Sequence, residues 1–436
     1  MDIIQKIFAS AEAQTEELTA LRQDFHKYAE SGWVEMRTTS IIARKLTEMG
    51  YEVLLGDQVC AADSRMGVPS EEVLEQNYQR AVEQGGDPEF LPYTKGGMTG
   101  AIAILDCGEG PTVALRFDID ALGVIESDEA DHRPAAEGFA SVNYGSMHAC
   151  GHDGHACVGL GVAKTLMEIK DQLHGKVKLI FQPAEEGVRG AKSIVDKGHL
   201  DGVDYAIGAH ITDLSQEEGV DATPGAYGSL ATCKYDVTYH GLSVHASGRP
   251  QEGKNALLAA ATAALNLNAI PRHSGGGTRI NVGRLLAGSG RNVIPDEAFM
   301  ELEVRGDTTE LNDYMCQKAM RIIEHAAAMY DCTYEVKLMG ATGSVMSDPD
   351  FVERIAQVME RAGMKPSTNR MTKSSGSEDF AYLMNRVQEQ GGKAAFIRVH
   401  TKLSAPGHNR RLDFIESDYF PKSIKIFCAA VYDLLK

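Results

Sequence analysis

Apolar and polar positions alternate along this chain in two rhythms, and each rhythm predicts a different kind of element. Near the start, "TEELTALRQDFHKYAE" puts Leu18, Leu21, Phe25 and Tyr28 on one face with Glu17 and Asp24 opposite, which predicts an amphipathic helix. "TTSIIARKLTEMGYEVLL" predicts a second helix that ends near Gly50 and leads into a strand. From Cys60 to Gly100 the pattern degrades into a polar, charge-rich stretch, "EEVLEQNYQRAVEQGGDPEF", read as an inserted helix with loops. Four apolar runs follow: "AIAIL" (101–105), "TVALRF" (112–117), "KVKLIF" (176–181) and "YAIGAH" (205–210). They are interleaved with helical segments such as "GLGVAKTLMEIKDQL", and a fifth run, "AAFIRV" (394–399), returns near the other end. This alternation predicts an α/β fold with a mainly parallel sheet and helices on its faces.

Between the fourth and fifth runs the texture changes. "KYDVTYHG", "TRINVGRLLAG", "FMELEVRG" and "TYEVKLMG" surround two helical segments, "NALLAAATAALNLNAI" and "LNDYMCQKAMRIIEHAAAMY". The order strand, helix, strand, strand, helix, strand predicts a compact α+β unit inserted into the chain. The expected organisation is a catalytic domain split into 1–228, with an insert near 61–98, and 344–436, around an α+β domain over 229–343.

Composition narrows the function. A length of 436 residues exceeds what one core usually serves and suggests two domains, or one domain carrying an insert. No apolar run is long enough to span a bilayer, which argues against a membrane partner. The opening "MDIIQKIFASAEAQTEEL" lacks the basic and apolar segments of an export signal, and eight scattered cysteines read as reduced thiols, so the expected location is the cytoplasm. A net charge of -18 without a basic stripe disfavours nucleic acid, and an anionic substrate would need local arginines to override that field.

In open α/β sheets, ligands bind beyond the carboxyl ends of the strands, so the residues that follow each apolar run carry the functional reading. Asp118 and Asp120 end "TVALRFDID", Glu185 and Glu186 follow "KVKLIFQPAEE", His210 closes "YAIGAH", and His408 lies after "AAFIRVH". Cys150 and His152, in "MHACGHDGHA", sit in a loop directly before an apolar helical stretch. Thiolate, imidazole and carboxylate together suit a divalent metal of borderline softness, and the set could satisfy two ions. On a regular helix Cys150 and His152 would diverge, whereas on the turn before one they can converge. Asp118 and Asp120 read either as caps or as groups that orient a ligating imidazole, and His148 and His155 as local hydrogen-bonding residues. Cys150 as nucleophile with His152 as base is a rival reading. A zinc nucleobase deaminase is a poorer one, because its Pro-Cys-x-x-Cys companion is absent.

The order of "DFHKYAESGW", "RFDIDAL", "MHACGHDGH", "FQPAEEG", "GAH", "HGLSVHAS", "INVGRLLAGSGRNVIP", "GSEDFAY" and "GHNRRLDF" resembles the aminoacylase/carboxypeptidase family of dinuclear metallohydrolases. Specifically, it resembles the amidohydrolase branch that includes hippurate and indole-acetyl-amino-acid hydrolases. The resemblance implies two divalent ions, Mn²⁺ or Zn²⁺, on Cys150, His152, Glu186, His210 and His408, with Glu185 as general base and Asp120 behind the ligands. Where many relatives carry a ligating His-x-Asp, this chain has Asp118-Ile119-Asp120, which shifts that duty from Asp118 to His152. The α+β unit corresponds to a lid and dimerisation domain, through which the chain would pair with itself or with a related second chain. There His245 matches a histidine that reaches the neighbouring protomer's active site, and Asn281 and Arg305 match residues that grip a substrate carboxylate. The implied activity is amide hydrolysis of an N-acyl amino acid. The segment "SRMGVPSEEVLEQNYQRAVEQGG" further resembles the insert of aminobenzoyl-glutamate hydrolases and points to p-aminobenzoyl-glutamate. The alternatives are a general N-acyl-amino-acid deacylase and a non-catalytic metal-bound partner of a catalytic chain.

Overall fold

The structure, a computed structural model, describes residues 2–214, 217, 219–374 and 376–436. It divides into two units: Met1–Tyr227 with Val345–Lys373 and Asp379–Lys436, and Gly228–Ser344 with Ser374–Glu378.

The first unit begins with α1 (Ile3–Ala13), α2 (Thr15–Lys27), α3 (Met36–Glu48), β1 (Glu52–Leu55), α4 (Glu71–Glu83), β2 (Ala101–Asp106) and β3 (Thr112–Asp118). It continues through α5 (Arg133–Glu137), α6 (His152–Glu168), β4 (Lys176–Gln182), α7 (Ala191–Asp196), β5 (Tyr205–Thr212), β6 (Ala222–Thr223) and β7 (Gly225–Tyr227). The second unit contributes β8 (Ala231–His240), α8 (Ala256–Asn268), β9 (Thr278–Ala287), β10 (Glu297–Gly306), α9 (Thr309–Met329) and β11 (Thr333–Thr342). The chain then re-enters the first unit with α10 (Pro349–Arg361), β12 (Met371–Lys373), α11 (Phe380–Glu389), β13 (Lys393–His400) and α12 (Glu416–Leu435).

Seven strands of the first unit form one sheet in the order β1-β2-β4-β3-β5-β13-β6. Its centre is parallel, β4 to β3 to β5 to β13, so these four strands present their carboxyl ends at one edge. The "AIAIL" strand departs from the parallel expectation: β2 pairs antiparallel with both β1 and β4. Only residues 107–111 separate β2 from β3, too few for the crossover that a parallel return requires.

Helix α6 lies inside the unit, packed against β3 and β4 on one side and α2 and α12 on the other. Its glycines permit that approach: a Cβ on Gly159 would lie 2.6 Å from Phe181, and one on Gly161 2.5 Å from Ile424. Helix α2 buries Leu18 and Phe25 as its periodicity predicts, but it also buries Arg22 and His26. Those polar residues are tolerated inside because Asp153, Asp413, Glu416 and Glu126 surround them. The opening segment, read from sequence only for an export signal, forms α1 and buries Ile7 and Ala11.

The second unit is an antiparallel sheet, β11-β8-β10-β9, whose apolar side packs with α8 and α9 around Val237, Tyr239, Met300, Leu302 and Val304. Strand β10 alternates strictly, so Glu301, Glu303 and Arg305 face away from that core. No described helix is long and apolar enough to cross a membrane.

Candidate active site

The edge at which the four parallel strands end collects the donors. Asp118 ends β3, Glu185 and Glu186 follow β4, His210 lies in β5, and the loop after β13 carries His408. Cys150 and His152 flank Gly151, whose φ of +84° makes the left-handed turn into α6. A Cβ at Gly151 would also lie 2.9 Å from Ile211. The turn lets both neighbours converge.

Cys150, His152 and His210 place one donor atom each within 4.8 Å of one another, and so do Cys150, Glu186 and His408. The two groups share Cys150. A third group, His152, Glu185 and Glu186, joins them. Sγ of Cys150 lies 3.3 Å from Nε2 of His210, and Nε2 of His408 3.6 Å from Oε1 of Glu186.

Asp120 organises the cluster without entering those groups. Its Oδ1 accepts from the Glu185 backbone N–H at 3.0 Å and lies 3.3 Å from His152 Nδ1, while Oδ2 accepts from the Glu186 N–H at 2.9 Å. One carboxylate thus fixes an imidazole and the backbone of both glutamates. Asp120 accepts from Nδ1 of His152, which leaves Nε2 for another partner, and among the described residues that buried nitrogen has no hydrogen-bond partner. Oε1 of Glu186 is buried without one as well. At His210, Nδ1 donates to the Ile211 carbonyl at 2.6 Å, which leaves Nε2 free to face Cys150. Two buried atoms without hydrogen-bond partners and a borderline-soft donor set fit divalent cations.

Electrostatics agree. Burial holds His210 neutral, well below the usual histidine range. Burial pushes the Cys150 thiol up to about 12, the opposite of the depressed value a nucleophilic cysteine needs. Burial, with Asp120 and Asp118 nearby, raises Glu186 to about 7, although His152 works against the rise. Negative charge in this pocket is therefore costly until a cation balances it.

Asp118 and His155 also approach His152 closely, but their polar atoms are already engaged. His155 Nε2 accepts from the Ile211 N–H at 3.1 Å, so Nδ1 carries the proton and donates to Asp118 at 2.5 Å. The other oxygen of Asp118 is held by the buried Arg116 guanidinium. His155 is thus a hydrogen-bonding residue. His148 differs from that expectation: it is buried, yet neither ring nitrogen has a partner among the described residues.

Several contributors escaped the sequence reading. The loop that presents the glutamates holds Ala184 at φ +51° and Val188 at +59°, left-handed conformations that cost energy in residues with a side chain. Buried Glu35 accepts from the Ala184 N–H at 2.7 Å, and Asp379 from the N–H groups of Gly190 and Ala191 at 3.1 and 2.9 Å, so the strained loop is tied at both ends. Burial, reinforced by Asp120, pushes Glu35 up to about 8. Below the donors, Asp153 meets Arg22 at 2.8 Å and His26 at 2.7 Å. Its position beside His152 in "GHDGH" was the only available signal.

His245, Asn281 and Arg305 belong to the second unit. His245 is exposed, and its Nδ1 accepts from the Ser247 N–H at 3.2 Å. Asn281 lies on edge strand β9, opposite Glu303 of β10, and Arg305 forks onto Glu303 at 3.1 and 3.0 Å.

Comparison with known proteins places this geometry. The model of the peptidase family M20/M25/M40 matches residues 114–433. The chain is 47% identical to the indole-3-acetyl-aspartic acid hydrolase of Enterobacter agglomerans over 92% of each chain. It is 45% identical to one subunit of the p-aminobenzoyl-glutamate hydrolase of Escherichia coli (strain K12), again over 92% of each. Among solved structures, an aminobenzoyl-glutamate utilization protein from Klebsiella pneumoniae matches with a TM-score of 0.82, 37% identity and 97% of each chain covered. A dinuclear metal-binding peptidase of the M20 family from Bacillus subtilis matches at 0.65 and 26% identity, covering 97% of this chain and 99% of that one.

Proposed function

The chain belongs to the peptidase family M20/M25/M40, and on that premise we propose that this metal-dependent amidohydrolase cleaves the amide joining an aromatic acyl group to an acidic amino acid. The first substrate to test is p-aminobenzoyl-glutamate, favoured by the relatives named for it and by the insert around α4. Indole-3-acetyl-aspartate shares its chemistry, an aromatic acyl group on a dicarboxylic amino acid. The observation that carries the reading is the pair of donor groups meeting at Cys150, with two buried atoms among them that have no hydrogen-bond partner within the described residues.

Cys150, His152, Glu186, His210 and His408 would hold two ions, Mn²⁺ or Zn²⁺. The chemistry such ions supply when bound is polarisation of a carbonyl and acidification of water. Glu185, buried and fixed through its backbone by Asp120, takes the proton of the attacking water and returns it to the departing amine. Asp120 keeps His152 in the tautomer that presents Nε2. From the second unit, His245 would donate to the developing oxyanion, and Asn281 and Arg305 would hold the α-carboxylate of the amino acid. The second unit would also serve as lid and dimerisation surface, with a second copy or, since the Escherichia coli relative is one subunit of its enzyme, with a related chain. All eight cysteines are free, in keeping with a cytoplasmic site of action.

The test is a hydrolysis screen of the purified chain on p-aminobenzoyl-glutamate, indole-3-acetyl-aspartate, hippurate and an acetylated diamino acid, with metal content measured in parallel. The acidic conjugates turn over, chelation abolishes turnover, and Mn²⁺ or Zn²⁺ restores it; Cys150→Ala lowers metal occupancy. Unchanged turnover after verified metal removal would sink the reading and revive Cys150 as nucleophile. Turnover that appears only with a related second chain assigns the heterodimer.

A further inference from the structure

The side of the four-stranded sheet turned away from α8 and α9 carries an unbalanced set of charges. In the register of β9 with β10, Arg279 stands directly opposite Arg305, and Asn281 opposite Glu303. Residues paired in this way, and residues two apart on one strand, share a face, so all four side chains lie together. Arg305 is already matched by the Glu303 carboxylate. Arg279 is exposed and makes no ion pair among the described residues. Arg272 reaches only the Ile270 carbonyl, at 3.1 Å.

Like charges set opposite one another across two strands repel, a conflict that a bound anion relieves. The three arginines, Asn281 and Glu303 line a cavity of about 230 Å³ at edge strand β9. Three arginines against one glutamate leave two positive charges here, although the chain as a whole carries -18. A local excess of that sign selects anions against the field of the rest of the protein.

We propose that this cavity receives both carboxylates of an acidic amino acid, and that Arg279 sets the preference for glutamyl or aspartyl conjugates over neutral ones. Arg305 and Asn281 take the α-carboxylate, while Arg279, with Arg272, takes the side-chain carboxylate. The cavity's net two positive charges then balance the two carboxylates, and a guanidinium fork matches a carboxylate in geometry. Glu303 holds Arg305 in position when no substrate is present. The inference rests on the amidohydrolase reading above and adds to it the origin of side-chain selectivity.

The metal-loaded full chain and its R279Q, R279K and R305Q variants are assayed for kcat/KM on p-aminobenzoyl-glutamate and p-aminobenzoyl-glutamine. Calorimetry measures the binding of glutarate and of butyrate, which involves no chemistry. The wild type favours the glutamate conjugate by about 10- to 100-fold, the worth of one charge-assisted pair. R279Q brings that ratio near unity and weakens glutarate but not butyrate; R279K restores part of both; R305Q lowers kcat/KM for the two conjugates alike. Should R279Q fold poorly, R279K carries the comparison. An unchanged ratio in R279Q, or a wild type that treats the conjugates equally, overturns the inference and leaves the hydrolase reading intact. A metal-loaded chain that cleaves no N-acyl amino acid overturns the hydrolase reading instead, and glutarate binding then decides the cavity by itself.

Discussion

In the first unit Arg22 is fully buried and meets Asp153, Asp413 and Glu416 at 2.8, 2.8 and 3.1 Å. In the second, Arg279 and Arg305 stand opposite each other on exposed strands, and only Arg305 has a carboxylate. The contrast separates two uses of charge. Apart from the exposed His408, the groups proposed to hold a metal or move a proton are buried or half-buried and tied to neighbours, so their orientation exists before substrate arrives. Groups that recognise an anion stay accessible and partly unmatched, which costs little at high dielectric and leaves their hydrogen bonds for the ligand. Substitution should therefore remove chemistry or stability in the first unit and selectivity in the second.

The largest effect falls on Glu185. E185Q keeps the shape and the backbone bonds to Asp120 but cannot accept the proton, so kcat falls by about 10²- to 10⁴-fold, the usual range for a general base. Metal content by mass spectrometry stays at the wild-type level. Turnover within a few-fold of wild type would falsify the base assignment.

Next comes Arg22. R22M leaves Asp153, Asp413 and Glu416 buried without their shared cation, a change that costs about 3–5 kcal/mol in such pairs. The midpoint of urea unfolding reads it. The pH dependence supplies an independent check. Burial opposes ionisation of Asp413, but Arg133 and Arg22 outweigh it and hold the folded carboxyl below its usual range. A depressed carboxylate contributes stability that is present above its unfolded pKa, about 4, and is lost as pH falls through the folded value. R22M should flatten that acid limb; an unfolding midpoint shifted by no more than that of a surface variant would show that the network is not what stabilises α2 against α6.

The strand-end donors and the family were legible in the sequence, the buried charges of the first unit were not, and the illegible part has a physical reason. The strand-end donors could be read because an apolar run that stops at a polar residue marks both the strand and its edge, as in "KVKLIFQPAEE" and "YAIGAH". Recognition of the family rested on nine short segments in order and survived comparison with known proteins. The direction of β2 was readable from its five-residue link to β3, but the alternation of elements masked it. Burial of Arg22 and His26 could not be read, since helical periodicity reports the polarity of a position and not whether a carboxylate 391 residues away will neutralise it. Glu35 and Asp379 were invisible for the same reason: each matters through backbone N–H groups of a strained loop far away in the chain.

Arg305 gives a smaller effect of a different kind. R305A raises KM for substrates with a free α-carboxylate by about 10- to 100-fold, one charge-assisted pair, while kcat stays close to wild type. Amidated analogues are hardly affected. Equal losses on both would place Arg305 among the structural residues of the sheet, and the contrast between the units would then lose its second half.

The smallest effect sharpens the comparison most. Arg284 also lies on β9 and pairs with Glu301 at 3.0 Å, but both side chains are about half exposed and neither belongs with the Arg272–Arg279–Arg305 set. R284A removes the same unit of positive charge from the same strand as R279Q. An exposed pair contributes below about 1 kcal/mol, so unfolding should move little. Screening at physiological salt confines an exposed charge to about 8 Å, so the glutamate-to-glutamine preference should not move at all. If R284A lowers that preference as R279Q does, selectivity comes from the general field of the sheet and not from a built receptor. If it leaves the ratio untouched while R279Q collapses it, position and not charge count is what recognises the second carboxylate.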